Sequence, residues 1–395
     1  MSRWHLITGE YPPGGGGIGD YTRLLALALA ERGEEVDVWT SASPPGGLQQ
    51  TRLAEKEPQD GAPDEPRVHR AGALHGAGLR ALSAGLDAAA APRRLLIQYA
   101  PQAVGMRGLN VAFCAWALAR RRAGDDVRVM FHEPFFPFGW QRPQRNLLAA
   151  VNRGMAGLLL RASTRAYVST SAWTGLLRPL APRDVPITTL PIPSTIPFVD
   201  QRAEVSRVRA RLLAGRGGPL LVHFGTYGEM ITPLLIPVLR EAVRRHPDAR
   251  ILLLGRGGPA FADRLRAPGQ SSPDTVVTLG ELDAEQISIH LQAADAALQP
   301  YPDGADTRRT TLMACVVNGV PTVTNDGRFT DAEWREGPVR LAQAAQPEEM
   351  AGEALDRVLA EDRDELGGRT RAWYQARFSM PRTVETLLAD GDGAP

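Results

Sequence analysis

Lysine is almost missing from this chain: of 45 basic residues only Lys56 is lysine, and the rest are arginine. With the high Ala, Gly and Arg content, that bias reads as base composition of the source genome rather than as function. Cysteine is equally scarce. Cys114 and Cys315 both fall in apolar helical patterns, so neither a disulfide framework nor a metal-ligand spacing exists, which fits a reducing cytoplasm. No run approaches eighteen uninterrupted apolar residues, which excludes a spanning helix. Met1-Ser2-Arg3-Trp4-His5 opens directly into a strand, with no charged-then-apolar leader before it. The expectation is therefore a cytoplasmic protein. Net charge is +1, so no global field draws nucleic acid.

What is present is the composition of a folded enzyme, with 43% hydrophobic and 23% charged residues. A length of 395 residues exceeds one ordinary core and suggests two or three domains. Charge is unevenly spread: residues 1–195 carry 22 basic and 16 acidic side chains, the remainder 23 and 28. A basic first half suits an anionic acceptor or a membrane surface, and arginines scattered over helix faces account for it equally well.

The first half alternates strand and helix. Trp4–Thr8 is a short strand, a glycine-rich turn spans Pro12–Tyr21, and an apolar-periodic helix runs through Leu24, Leu25, Leu27 and Leu29. Further strands are expected at Val36–Thr40, Arg67–Arg70, Arg94–Gln98, Val127–His132, Ala166–Ser169 and Ile187–Leu190, with a mobile Pro/Gly/Gln loop over about 41–66. Pro191, Pro193 and Pro197 stiffen an extended connector. The pattern then restarts, with strands expected at Pro219–Phe224, Arg250–Leu254, Thr275–Leu279, Ala296–Gln299 and Pro321–Thr324. Helices are expected up to Arg245 and over Ala284–Ala293 and Arg308–Val317. Pro381 divides the closing helical stretch, Arg369–Asp390, into two helices at a bend. Alternation of this kind predicts α/β architecture with parallel, doubly wound sheets.

In such sheets ligands bind beyond the carboxyl ends of the strands. Gly14–Gly19 follows the first strand and opens a helix, where backbone N–H groups favour an anion; a plain tight turn is the bland reading. It is no dinucleotide fingerprint, because Val38-Trp39-Thr40 rather than an acid ends the second strand. Gly225-Thr226-Tyr227-Gly228 and Gly255-Arg256-Gly257-Gly258 repeat the strand–glycine–helix arrangement, and Arg256 could add a bidentate guanidinium for a diphosphate. In Pro300–Met313 a helix is expected to start near Asp306 or Thr307, either of which could cap it. Arg308 and Arg309 then oppose the helix dipole, a conflict that a bound polyanion would remove. His132-Glu133 closes another strand and leads into Phe135-Phe136-Pro137-Phe138-Gly139-Trp140, aromatics that could pack an acceptor, touch a membrane or form a loop core.

Taken together, Glu10-Tyr11-Pro12-Pro13, Gly16-Gly17-Ile18-Gly19-Asp20-Tyr21, Gln98-Tyr99-Ala100-Pro101, Phe131-His132-Glu133, Pro191-Ile192-Pro193-Ser194, Leu253-Leu254-Gly255-Arg256, Asn318-Gly319-Val320-Pro321 and Phe378-Ser379 resemble family 4 glycosyltransferases. These are retaining enzymes of GT-B fold, with two Rossmann-like domains facing across a cleft. The resemblance implies an acceptor-binding domain over 1–193, a donor-binding domain over 194–378, and a carboxyl-terminal helix, 379–395, crossing back to the first domain. It implies a hexosyltransferase-type enzyme whose donor is a UDP- or GDP-linked sugar, with no cofactor and no metal. The acceptor is a small molecule, a glycan or a lipid-linked species, and peripheral membrane contact is compatible with it. His132 and Asp306 take the catalytic positions. Gly16, Gly17, Gly225, Thr226, Tyr227, Arg256, Thr307, Arg308 and Arg309 take the donor, and Tyr21, Gln98, Tyr99 and Glu133 the acceptor.

The chain departs from the family at two places. The family's two glutamates fall here on Asp306 and Ala314, which shortens one acid and removes the other. Its phosphate-loop Arg and Lys are replaced by Tyr227, Glu229 and Met230. A GT-B protein that binds without transferring, a nucleotide-sugar 2-epimerase and a nicotinamide oxidoreductase are the competing readings.

Overall fold

The structure is a computed structural model that describes residues 3–13, 16–41, 49–52, 66–91, 93–139, 143–265, 275–343 and 346–390. It divides into two compact units, Met1–Pro191 with Thr383–Pro395, and Ile192–Arg382. In the first unit the order is β1 (Arg3–Thr8), α1 (Gly17–Glu31), β2 (Glu35–Thr40), β3 (Gln49–Arg52), β4 (Arg67–Arg70), α2 (Ala77–Asp87), β5 (Arg94–Tyr99) and α3 (Val111–Arg122). It continues with β6 (Asp126–Phe131), α4 (Pro143–Ala162), β7 (Arg165–Val168), α5 (Ser171–Leu177) and β8 (Ile187–Thr189).

The second unit begins with α6 (Arg202–Leu213), β9 (Leu220–Phe224), α7 (Thr232–Arg245), β10 (Arg250–Leu254), α8 (Gly258–Leu265), β11 (Val276–Gly280) and α9 (Ala284–Gln292). Then come β12 (Ala296–Gln299), α10 (Thr310–Val317), β13 (Thr322–Asn325), α11 (Ala332–Glu336), β14 (Arg340–Ala342), α12 (Leu355–Ala360) and α13 (Arg363–Arg377). A last helix, α14 (Met380–Ala389), begins at the end of that unit and runs into the first.

Each unit is built on one sheet, ordered β3-β4-β2-β1-β5-β6-β7-β8 and β11-β10-β9-β12-β13-β14. All neighbours pair in parallel except β3 with β4. The expected doubly wound α/β architecture is thus present twice. In the first sheet the winding reverses between β1 and β5, in the second between β9 and β12. The carboxyl ends of those strand pairs are the crevices in which such sheets take ligands.

The strands are apolar on both faces because helices cover both. On β10, Ile251 and Leu253 pack into one buried cluster with Leu235, Leu239 and Phe261. Leu252 and Leu254 point the other way, onto Leu212, Ile289 and Cys315. A third cluster gathers Trp334, Tyr374 and Phe378, with the Trp334 and Phe378 rings stacked at 5.3 Å. In the first unit, α14 buries Thr383, Val384 and Leu387. Arg128, itself buried, donates to the carbonyls of Leu387 at 3.1 Å and Asp390 at 3.3 Å.

Several local expectations need correction. The segment read as a loop over 41–66 contains β3, paired antiparallel with β4 from Gln49↔Arg70 to Arg52↔Arg67. Gln49-Gln50-Thr51-Arg52 has no apolar alternation to announce a strand, and it pairs along the edge of β4. The rest of that loop lies outside the described residues. Pro381 does not mark the bend between the last helices. The chain turns at Phe378-Ser379, and Pro381 sits in the first turn of α14, where a missing N–H costs nothing. Helix α10 starts at Thr310 with Arg309 as its N-cap and no side-chain cap, so neither Asp306 nor Thr307 caps it.

The turn after α10 meets helix α13 through two glycines, Gly319 and Gly367. A Cβ on Gly367 would lie 2.5 Å from the Gly319 carbonyl oxygen, whereas one on its neighbour Gly368 would meet nothing within 4 Å. Gly367→Ala should therefore destabilise the chain by about 2 kcal/mol or more. Gly368→Ala, in the same helix, should stabilise it by about 0.5–1 kcal/mol. Urea unfolding of both variants checks the pair, and equal effects would contradict the close approach.

Candidate functional site

In the first unit, the residue after β6 is His132. Its backbone N–H donates to Tyr99 O at 2.9 Å, and its carbonyl accepts from Trp173 Nε1 and Ser169 Oγ, each at 3.1 Å. The strand end is thereby fixed, and the imidazole with it. Nε2 lies 2.7 Å from Gln98 Oε1, and Tyr21 of α1 meets the ring edge-on at 5.3 Å. With a carboxamide oxygen facing it, Nε2 carries the proton and Nδ1 keeps the lone pair. Burial lowers the His132 pKa to about 3, because a cation there would lose its hydration without gaining a carboxylate.

Around this histidine, Gln98 Nε2 and the Tyr21 hydroxyl are buried without a hydrogen-bond partner. Burial raises the Tyr21 pKa above the usual phenol range. Tyr99 is placed apart from this group. Side chains alternate along a strand, so its ring stands on the opposite face from Gln98, fully buried against Phe131 at 5.4 Å. Glu133 is exposed. Of the four expected acceptor contacts, Tyr21 and Gln98 are gathered at His132, Glu133 follows it in sequence, and Tyr99 points elsewhere.

Gly16 is the N-cap of α1 and Gly17 its first residue; Gly14 and Gly15 lie outside the described residues. A Cβ on Gly17 would meet nothing within 4 Å, but one on Gly16 would fall 2.0 Å from Glu10 Oε2. The start of α1, where an anion was expected, is thus flanked by a carboxylate of the chain itself. Burial, with Asp20 repulsion second, raises the Glu10 pKa. Glu10 fills the side-chain space beside Gly16, which the glycine motif does not display.

In the second unit, β9 and β10 end in two glycine turns that touch back to back. Gly225 N donates to Leu254 O at 3.0 Å. Gly255 has φ +110°, and a Cβ there would lie 2.2 Å from Gly225 O, so no other residue fits. Thr226 is exposed at this turn. Tyr227 adopts φ +58° and turns its ring inward. Its hydroxyl lies 3.1 and 3.0 Å from the carbonyl oxygens of His223 and Leu254, so the side chain wedges the turn from beneath. Arg256 points outward, 82% exposed, and pairs with Glu281 at 2.6 Å.

His223 is the second residue that escaped notice. It is buried on β9, donates from Nδ1 to Leu298 O at 2.8 Å, and has no partner for Nε2. That nitrogen faces Gly225, whose added Cβ would sit 3.0 Å away. Burial lowers its pKa to about 4. A histidine at a central strand's end, as at His132, was the available signal.

Beyond β12, Asp306 is fully buried. Its carboxylate accepts from the Arg308 backbone N–H at 2.9 Å, Arg308 Nε at 3.1 Å and Arg308 Nη2 at 2.8 Å. Arg309 Nε lies 3.4 Å from the same group, and its guanidinium covers the Tyr301 ring at 4.8 Å. The arginine pair thus has an internal counter-ion, which meets the dipole conflict expected from the sequence. Thr307 is tied to Asp331 through its N–H at 2.8 Å and Oγ1 at 3.0 Å. Ala314 is buried in the apolar cluster with Cys315. Among the described residues no group of three or more His, Cys, Asp or Glu is placed to hold a metal ion.

A family model for the glycosyl transferase 4-like domain matches residues 16–193. No curated protein sequence matches the chain. Solved structures resemble it throughout its length. A sucrose-phosphate synthase from Thermosynechococcus elongatus has a TM-score of 0.67 at 16% identity, covering 98% of each chain. An α,α-trehalose-phosphate synthase (UDP-forming) from Burkholderia xenovorans, in complex with glucose-6-phosphate, has 0.67 at 11%, covering 100% of both. The Anabaena protein HepE, in complex with UDP and glucose, has 0.62 at 14%, again covering 100% of both. No helix of the described residues is long and apolar enough to cross a membrane.

Three buried histidines give the chain a directional pH response. His132 has a pKa lowered to about 3, and His5 and His223 to about 4, against about 6.5 when unfolded. The unfolded chain binds more protons in that window, so their contribution is complete above about pH 6.5 and shrinks as pH falls. Each contributes a slope of up to ~1.4 kcal/mol per pH unit until its folded pKa is reached. Urea unfolding between about pH 7 and 5 measures the slope. Long-range ¹H–¹⁵N spectra should show His132 neutral and protonated on Nε2 at about pH 6; an imidazolium there would overturn the assignment.

Proposed function

Since the chain has the GT-B fold and residues 16–193 match a glycosyl transferase 4-like domain, we infer that it moves a sugar from a nucleoside-diphosphate donor to an acceptor hydroxyl. The reaction retains configuration and uses no metal. The observation that carries this reading is a placement: Arg308 and Arg309 stand at the carboxyl end of β12, next to the strand that ends in the Gly225 turn. Backbone donors and guanidinium groups together suit a diphosphate. The UDP named with HepE and with the trehalose-phosphate synthase makes UDP-linked sugars the first donors to try.

In this scheme the second unit holds the nucleoside diphosphate through Gly225, Thr226, the Tyr227 backbone, Thr307, Arg308 and Arg309. Negative charge growing on the leaving diphosphate is met by donors already in position, so little reorganisation is needed in the transition state. Arg256, turned outward onto Glu281, acts at the edge of that site. The first unit takes the acceptor with Tyr21, Gln98 and Glu133. Gly16 and Gly17 approach the donor, and His132 contacts the transferred sugar as a neutral hydrogen-bonding group. Asp306 works through Arg308, whose guanidinium it orients. The buried, unpaired Cys114 and Cys315 suit a cytoplasmic setting.

A second reading, a protein that binds the donor without transferring, draws on Ala314. The position where the family's second acid falls is buried among apolar side chains, so no carboxylate is available there for the ribose.

Thermal shift with UDP, GDP, ADP and TDP, with NAD as control, tests binding; a ligand at about 100 times Kd stabilises by ~2.7 kcal/mol. Arg308→Ala should abolish the shift. His132→Ala should keep it and lower turnover about 10²-fold. A shift without release of nucleoside diphosphate from any sugar conjugate would favour the second reading. Full rates in both variants would remove these residues from the site.

A further inference from the structure

Seven large apolar side chains are exposed among the described residues, and five of them, Met106, Leu109, Val111, Phe138 and Leu147, come from three neighbouring segments of the first unit. The segments are the turn Met106–Gly108 leading into α3, the loop after His132, and the first turns of α4. Contacts hold them together. Asn152 of α4 donates to Gly108 O, and a Cβ on Gly108 would lie 3.7 Å from Phe136. Gly139 N donates to Asn146 Oδ1 at 2.9 Å, and the Arg153 guanidinium lies under the rings of Phe135 and Phe138 at 4.2 and 3.8 Å. Phe138 and Leu147 thus stand on segments that are in contact with one another and with the segment of the turn, and clustered apolar exposure of this kind marks interaction sites.

Two further observations say what covers it. The turn is built from four successive residues of positive φ: Gly105 at 84°, Met106 at 52°, Arg107 at 53° and Gly108 at 84°. Two adjacent non-glycine residues in that region are strained, and such strain concentrates at functional surfaces; here it presents Met106 and Arg107 outward. The patch segments carry charge of one sign in sequence: 105–111 and 134–153 hold four arginines and no Asp or Glu. Arg107 and Arg145, both exposed on the patch segments, make no ion pair among the described residues. Glu133 is the acid nearest in sequence.

We propose that this face is a docking surface for an anionic lipid bilayer, with Met106, Leu109, Phe138 and Leu147 entering the interface and Arg107 and Arg145 meeting the headgroups. Apolar insertion and headgroup attraction are the two additive terms of such binding. The inference is independent of the transfer reaction, since a protein that never transfers a sugar would dock in the same way.

Sedimentation of the full chain with phosphatidylglycerol/phosphatidylcholine vesicles, against phosphatidylcholine alone, provides the test. The chain should pellet with the anionic vesicles and not with the zwitterionic ones. Reversing Arg107→Glu and Arg145→Glu should weaken partitioning by about fivefold or more for each, whereas Arg→Lys at both should retain it. Leu147→Gln with Phe138→Ser should weaken it by about tenfold or more, while Leu176→Gln, on α5, should change nothing. All these side chains are exposed, so unchanged melting is expected and is checked alongside. No binding to anionic vesicles, or binding indifferent to these variants, overturns the proposal. So does self-association in sedimentation equilibrium that the same variants dissolve while vesicle binding is absent, which would assign the face to a second copy of the chain.

Discussion

Parallel pairing governs both sheets. A strand that must be followed by another running in the same direction has to return through a helix, so every strand but β3 ends on the same edge of its sheet. The turns of the candidate site inherit that edge: His132 after β6, Gly225 after β9, Gly255 after β10, and Asp306 to Arg309 after β12. Where the winding reverses, adjacent connections diverge to opposite faces and leave the strand ends uncovered. The residues at those ends are therefore held by strand geometry, and their precision comes from ladder hydrogen bonds such as His132 N to Tyr99 O and Gly225 N to Leu254 O.

At three turns where the sequence suggests an anion, the chain keeps a carboxylate of its own. Glu10 lies on Gly16 at the start of α1, Asp306 holds Arg308 and Arg309, and Glu281 holds Arg256. Arginines gathered without a counter-ion would repel one another and strain the fold in the unliganded protein. The buried pair at Asp306 also fixes the orientation of the guanidinium within the fold. The exposed pair at Arg256 has little energetic weight by comparison.

Continuous apolar runs made the central strands legible in the sequence. Leu95-Leu96-Ile97 and Ile251-Leu252-Leu253-Leu254 have no other use than burial on two faces, and their ends fall within a residue of the expected positions. Edge strand β3 was not legible, because its polar residues have no apolar alternation to announce a strand. The glycine turns were visible, but their geometry was not. Nothing in Gly225-Thr226-Tyr227-Gly228 tells that the tyrosine turns inward, since that depends on a φ of +58° and on carbonyls from β9 and β10. The direction of Tyr99 followed from strand alternation alone and could have been read earlier. Glu10 and His223 were hidden for the same reason: each acts on a glycine whose side-chain space it occupies, and sequence does not display space.

Residues 192–382 form one unit while the segments before and after them form the other. The second unit is in that sense a guest inserted into the first, and synthesis is vectorial. At about 5–20 residues per second, roughly 10–40 s pass between emergence of β8 and emergence of α14. Throughout that interval Arg128 lacks the two carbonyls that complete its shell, those of Leu387 and Asp390, and Tyr167 lacks its Asp390 partner. Asp126 already pairs with the Arg128 guanidinium, but two of its buried acceptors are missing until α14 has been made. The order of maturation on the ribosome is then the reverse of the order in sequence: the unit begun first is the one finished last.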